Sequence, residues 1–420
     1  MTVEKHRRED VMKKGVIYVV CSLIIVLFMG CSKRESGEAS EQQHEEKEKL
    51  VLWSYYEVDA QQESLDQLVY EFNLSQNTYE VSWEYVPMAD FTKKLSMGFT
   101  ENELPDMVII DNPDMLSYVT FGLFEDITEY MMQKKDLQDY YPGVISSVIY
   151  DGKYYGLPFC GNNVALYYNK DLLKEEGLDP PGTWEEFSEA AKQLTKGETY
   201  GFAMCALNSE EGAFQFLPWI LSTGASPTTV GNDDALRAYS LIDDLVNNGA
   251  LSGDCINWTQ NDVARKFISR EAAMMENGPW ILPMLEEAGI NFGIIELPVD
   301  RQRRVVFGGE NLAVIKGKNV KGAMAFLDYY NQDKVMLATC KASDAIPPKR
   351  TLSREAFLED PYYSVFVNQM DNGISRSSYP SWKMTSNILS KALNEVVIED
   401  TSMLDICKSV TLEMEEADNR

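Results

Sequence analysis

Between Leu50 and Pro298 the apolar positions switch repeatedly from a period of two to a period near 3.6 and back. "LVLWSYY" (Leu50 to Tyr56) is dense in β-forming residues and predicts a first strand. In "AQQESLDQLVYEFN" the residues Leu65, Leu68, Val69 and Phe72 fall at i, i+3, i+4 and i+7, which predicts an amphipathic helix. "YEVSWEYVP" returns to alternation and puts Val81, Trp83 and Tyr85 on one face of a strand. Asp90 is placed to cap a helix through "FTKKLSMGF", and "PDMVIID" (Pro105 to Asp111) has the apolar run of a buried strand. Strand, helix, strand, helix, strand predicts a parallel α/β sheet, whose ligands gather beyond the strand C-termini. The segments just after Trp53 and Ile110 are therefore the first to search for a site.

The second half repeats the style. "LPFCGNNVALYYNKDLL" (Leu157 to Leu173) predicts a strand, and "TWEEFSEAAKQL" opens with a Thr183-x-x-Glu186 capping box. "YGFAMCA" is another strand, and the helix through "DDALRAYSLIDDLVNNG" should close at Gly249. "EAAMMENGPW" (Glu271 to Trp280) reads as a buried strand, a glycine turn and a helix with Pro279 in its first turn. "NFGIIELP" supplies one more strand.

The N-terminus follows another rule. The 14 residues from Val16 to Met29 are apolar but for Ser22, and Lys5, Arg7, Arg8, Lys13 and Lys14 precede them. A spanning helix needs roughly 20 residues, so this is the h-region of a signal peptide behind a positive n-region. "FMGC", ending in Cys31, resembles the lipobox of bacterial lipoproteins, with Phe28 where leucine is usual. That resemblance implies cleavage before Cys31 and its acylation with more than one chain, a stable lipid anchor. An uncleaved N-terminal anchor is the rival reading. "SKRESGEASEQQHEEKEK" (Ser32 to Lys49) is nearly free of apolar residues and cannot offset its ordering entropy, so residues 31–49 read as a flexible leash.

Composition narrows the function. Removing residues 1–30, with five basic and three acidic side chains, leaves 33 basic against 63 acidic residues. Nucleic acid is excluded as a partner, since phosphate binding needs clustered Lys and Arg. Beyond the leash the chain contains no histidine, as the two present are His6 and His44. That removes Ser–His and Cys–His nucleophiles and every His-based metal site. "GKNVKGAM" lacks the Lys-Ser/Thr of a phosphate loop, and no cofactor or metal is expected. Cys160, Cys205, Cys255, Cys340 and Cys407 are scattered, with no C-x-x-C pair, and read as buried small hydrophobes, with a single disulfide open as the alternative. A carboxylate pair of glycosidase type stays open as an enzymatic alternative.

Taken in order, several segments resemble the extracellular solute-binding proteins of ABC importers, in the sugar-binding family that includes maltose-binding protein. They are the strand ending at Trp53; "LPDMVIID" followed by "FGLFEDIT"; "YDGKYYGLPFCGNNVALYYNKDLL"; "GTWEEFSEAAKQLT"; "AAMMENGPW"; "FGGENLAVIKG"; and "AIPPKR". The resemblance implies a periplasmic-binding-protein-like fold of two α/β lobes joined by a hinge, with a ligand cleft between them. One lobe would hold residues 50–156 and 306–345, the other residues 157–305 and 346–420. It also implies a monomer without catalysis, anchored on the outer face of the cell membrane, that hands a sugar to ABC permease subunits.

The family's binding positions fall on particular residues here. Trp280 stands where the family stacks an aromatic on a sugar ring, with core packing as the rival role. Asn162 stands where a glutamate reaches sugar hydroxyls in the family; its rival role is a turn at φ > 0. Asp111 and Asn112 follow the third strand, where capping of the next helix competes with sugar contact. Tyr55, Tyr56 and Glu57 follow the first strand, with Glu57 favoured as an acceptor. Glu310, after Gly308 and Gly309, returns to the cleft edge unless it is a solvated turn. Trp382, in "SYPSWKM", is a second aromatic candidate.

Overall fold

The computed structural model describes residues 46–379, 382–399 and 401–418, so the signal, Cys31 and most of the leash lie outside the described residues. The first stretch runs β1 (Glu48–Ser54), α1 (Asp59–Ser75), β2 (Tyr79–Tyr85), α2 (Met88–Glu101) and β3 (Met107–Asp111). Helix α1 buries the predicted stripe Leu65, Leu68, Val69 and Phe72, each side chain contributing about 1.5–3 kcal/mol. All five residues of β3 are buried. Two expectations change here. Strand β2 lies at the sheet edge, so Val81 is buried but Tyr85 is exposed. The N-cap of α2 is Pro87, and Asp90 sits inside the first turn, where its charge complements the helix dipole.

The chain then continues through β4 (Leu157–Pro158), β5 (Ala165–Asn169), α3 (Trp184–Leu194), β6 (Tyr200–Ala203) and α4 (Glu210–Ser222). The predicted strand at Leu157 to Leu173 is thus two strands, and they join different sheets. The Thr183–Glu186 capping box forms as expected. Helix α4 buries every residue from Gly212 to Ser222, as a helix apolar all round must. Next come α5 (Leu236–Asn247), α6 (Gln260–Ile268), β7 (Ala272–Asn277) and β8 (Phe292–Ile295). After α5 the left-handed turn falls on Gly249, one residue past the cap Asn248. The chain closes with β9 (Val305–Phe307), β10 (Glu310–Val314), α7 (Val320–Tyr330), β11 (Gly373–Ser375), α8 (Trp382–Ile398) and α9 (Met403–Asp418).

The first sheet has the order β2-β1-β3-β10-β4. Its β1–β2 and β1–β3 pairs are parallel, as predicted, but β10 runs antiparallel to both β3 and β4, so the sheet is mixed. The second sheet has the order β8-β5-β7-β6, with only β6–β7 parallel. Both sheets are covered on two faces. In the first, Leu50, Leu52, Met107 and Ile109 join one apolar cluster, while Trp53, Val108 and Ile110 join another. In the second, Leu166 and Met274 pack on one side and Tyr167 and Met275 on the other. Burial on both faces explains why these strands read as continuous apolar runs.

Between the sheets, Asn162 bridges Gly308 and Gly161 bridges Ile346. Gly309 adopts φ +112, and a Cβ there would lie 2.3 Å from the Cys160 carbonyl oxygen, so only glycine lets these segments pass so closely. The five described cysteines are buried and free. Among the described residues no helix is long and apolar enough to cross a membrane.

Candidate functional site

Where the two sheets approach each other a cavity of about 380 Å³ opens. Its first-sheet wall is set by register. Glu310, the first residue of β10, pairs directly with Asp111, the last residue of β3, which places two carboxylates opposite each other. Like charges so placed repel, and each is held by its own partners. Tyr55 Oη donates to Glu310 Oε1 at 3.0 Å, while Tyr56 Oη and Cys160 Sγ reach Oε2 at 3.4 and 2.6 Å. Burial pushes the Glu310 carboxyl above its ordinary value, and those three donors pull it back. Asp111 is pushed well up, by burial first; the Arg376 guanidinium opposes this, and Glu210, Asp114 and Glu310 add to it.

Arg376 joins the two walls. Its guanidinium lies 3.6 Å from Asp111 and pairs with Glu210 on α4. Its flat face covers the Phe214 ring at 4.5 Å. Glu210 also accepts from Trp382 Nε1 at 3.0 and 3.2 Å, and from Ser386 Oγ. Next to it, Glu211 is raised by burial, although the Gln260 backbone N–H donates to it at 3.4 Å. Thr259 and Asp262 form a capping box at the start of α6, and Arg265 pairs with Asp262 at 2.7 Å.

Trp280 supplies the aromatic wall. It follows β7 and Gly278, where a Cβ would lie 1.9 Å from a Trp280 ring carbon. Glycine therefore lets the indole fold back across the turn, leaving Trp280 half-buried. The amide oxygen of Asn162 is buried and has no hydrogen-bond partner among the described residues. It sits above Gly308, where a Cβ would come within 2.0 Å of it. An orphaned acceptor of this kind costs about 1–3 kcal/mol.

Glu57, Asp111, Asn162, Trp280 and Glu310 all line this one cavity, together with Tyr55. Asn112 does not line it: the residue is buried, and its backbone oxygen accepts from Ser377 Oγ at 2.6 Å. Nor does Trp382, which is 2 % exposed and packs in the core of the second sheet, one layer behind Glu210. Several rival roles also fall away. Asn162 is not at positive φ, Asp111 makes no side-chain cap, and Glu310 is a buried strand residue. Among the described residues no cluster of His, Cys, Asp or Glu could hold a metal ion.

The family of bacterial extracellular solute-binding proteins matches residues 67–361, well over half of the sequence. The chain belongs to that family. A galactooligosaccharide-binding protein of Bacillus subtilis is 27% identical over 297 residues, covering 68% of this chain and 68% of the relative. An sn-glycerol-3-phosphate-binding periplasmic protein of Rhizobium meliloti is 25% identical over 335 residues, covering 71% and 74%. Among solved structures, an ABC transporter solute-binding protein of Thermotoga lettingae bound with α-D-tagatose superposes with a TM-score of 0.81 at 19% identity, covering 88% of this chain and 100% of that one. A maltose-bound T. maritima protein gives 0.79 at 20%, covering 88% and 99%. The fold is that of the periplasmic solute-binding proteins, two α/β lobes joined by a hinge with the ligand cleft between them. This solute-binding protein works outside the cytoplasm, and the cavity lies where its two sheets meet.

The residues that sequence reading overlooked are those whose role depends on the partner half. Arg376, Glu210, Glu211, Phe214 and Arg265 line the same cavity. Their local sequences resemble any helix start or polar loop. Only the Thr259-x-x-Asp262 spacing gave a local sign, marking the start of the helix that carries Arg265.

Proposed function

We propose that this protein captures a carbohydrate, a mono- or oligosaccharide, between its lobes and delivers it to the permease of an ABC importer. The observation that carries this reading is the half-buried Trp280 indole lining one cavity with the hydrogen-bonding groups of Glu57, Asp111, Asn162 and Glu310. An aromatic face offers apolar area to the C–H side of a pyranose, while carboxylates and amides accept from its hydroxyls. The relatives named for galactooligosaccharide and for sn-glycerol-3-phosphate, and the structures holding tagatose and maltose, add support for a sugar-sized polyol.

In this reading one lobe comprises residues 50–156 and 306–345, and the other residues 157–305 and 346–420. Pairing of β4 with β10 supports counting Leu157 and Pro158 with the first lobe. The lobes close by hinge motion on the solute. Cys31 carries the lipid that holds the protein on the outer face of the cell membrane, and Cys31→Ser should abolish incorporation of labelled fatty acid. Undiminished labelling would remove the anchor. The central test is a thermal-shift screen of the purified protein against mono- and oligosaccharides. A ligand at 100 times its Kd should add about 2.7 kcal/mol of stability. No shift with any sugar would sink the carbohydrate assignment, and release of hydrolysed product would favour a carboxylate-pair glycosidase instead.

A further inference from the structure

The cavity's charge constrains which sugar can enter it. Glu57, Asp111 and Glu310 reach it from the first-sheet wall, and Glu210, Glu211 and Asp262 from the other. Among the described residues two guanidinium groups, Arg265 and Arg376, stand against these six carboxyl groups, and no lysine lines the cavity. Both arginines are already committed: Arg265 pairs with Asp262 at 2.7 Å, and Arg376 is wedged between Glu210 and Asp111 with its face on Phe214. A phosphate or carboxylate on the solute would find no uncommitted cation and would have to displace a protein carboxylate to obtain one. Its approach would also be opposed by the field of a strongly acidic chain.

A cation meets the opposite situation. Lysines and arginines elsewhere lie over Trp53, Trp258, Tyr140 and Phe214, but among the described residues none lies over the Trp280 ring. Glu57 is exposed and makes no ion pair among the described residues. A half-buried indole that keeps some of its surface free, beside the exposed Glu57 carboxylate, attracts an ammonium group both by cation–π contact and by charge-assisted hydrogen bonds. The unpartnered Asn162 oxygen adds an acceptor that an N–H or a sugar hydroxyl satisfies equally well.

We propose that the solute carries a protonated amine, as an amino sugar or an amine-bearing oligosaccharide, and that phosphate esters and uronates are refused. This rests on the carbohydrate reading and fixes the sugar's charge class. The test is calorimetric titration of the purified protein with matched disaccharide sets in gluco, galacto and manno configuration. Each set holds the free-amine sugar, its N-acetylated form, the neutral parent and the uronate. The amine should bind at least about tenfold tighter than its N-acetylated and neutral counterparts at low salt, and the preference should shrink as salt screens it. Glu57→Gln together with Glu211→Gln should narrow the same preference, read as the ratio of amine-sugar to neutral-sugar affinity in the one variant. Neutral sugars or uronates binding as tightly as the amine would overturn the charge assignment and leave the carbohydrate reading standing. Binding of spermidine with no response to any sugar would do the reverse.

Discussion

Trp382 and Trp280 both stand at the start of a helical segment in the second-sheet half, yet their surroundings are opposite. Trp382 is 2 % exposed, and its indole N–H is held by Glu210, which Arg376 and Ser386 also engage. Trp382 Nε1, Ser386 and Arg376 all converge on Glu210, and the ring has become part of the wall's support. Trp280 is half-buried, folded over Gly278, and no hydrogen bond fixes its indole nitrogen among the described residues. Four residues before it on β7, Glu276 is fully buried; one of its oxygens accepts from Trp219 Nε1 at 2.7 Å and the other has no partner among the described residues. The first corner is saturated by the protein. The second leaves an aromatic face for something else to cover.

The largest effect that would break this contrast lies in the saturated corner. Trp382→Ala should cost roughly 3–5 kcal/mol of stability, the scale for truncating a buried aromatic. The folded fraction should keep its solute affinity. Denaturant unfolding and calorimetry on one sample measure both, and a weakened Kd with unchanged stability would move Trp382 into the site. A smaller effect of the other kind belongs to Trp280. Trp280→Ala should weaken solute binding by roughly 2 kcal/mol or more, as loss of an aromatic anchor does, with little change in melting temperature. If the melting temperature falls steeply and Kd stays the same, the two tryptophans are alike and the contrast disappears.

The difference between the corners also shows what could be read from the chain. The parallel β1–β3 core, α1 and the capping box at Thr183 were legible because each is fixed by local periodicity or capping chemistry. The place of Trp280 on the cavity wall was legible because "NGPW" joins a buried strand to a glycine turn, whose close approach to the indole is a local event. Trp382 misled because its surroundings come from Glu210 and Arg376, and nothing in "SYPSWKM" encodes either. The antiparallel β10 escaped for the same reason: "ENLAV" fixes a strand but not its direction. Arg376 was invisible as a site residue, since its meaning lies in two carboxylates more than 160 positions away in sequence.

The smallest effect tests the unsaturated carboxyl directly. Burial pushes Glu276 well above the ordinary glutamate value of 4.5. A carboxyl whose pKa is raised on folding binds more protons folded than unfolded between the two values. Stability therefore falls as pH rises from the unfolded value through the folded one. Asp111 and Glu310 act in the same direction, so the intact protein should lose stability as pH climbs from the glutamate range to neutrality. Glu276→Gln keeps an acceptor for Trp219 but has no charge to bury, so its stability should decline less over the same range. The comparison is made by urea unfolding of both proteins at a series of pH values, with the difference in slope as the readout. Superimposable slopes would mean that Glu276 finds a compensating partner, as Glu210 does in Arg376. The end of β7 that leads to Trp280 would then be as saturated as the corner around Trp382, and the contrast would rest on the half-buried Trp280 ring alone.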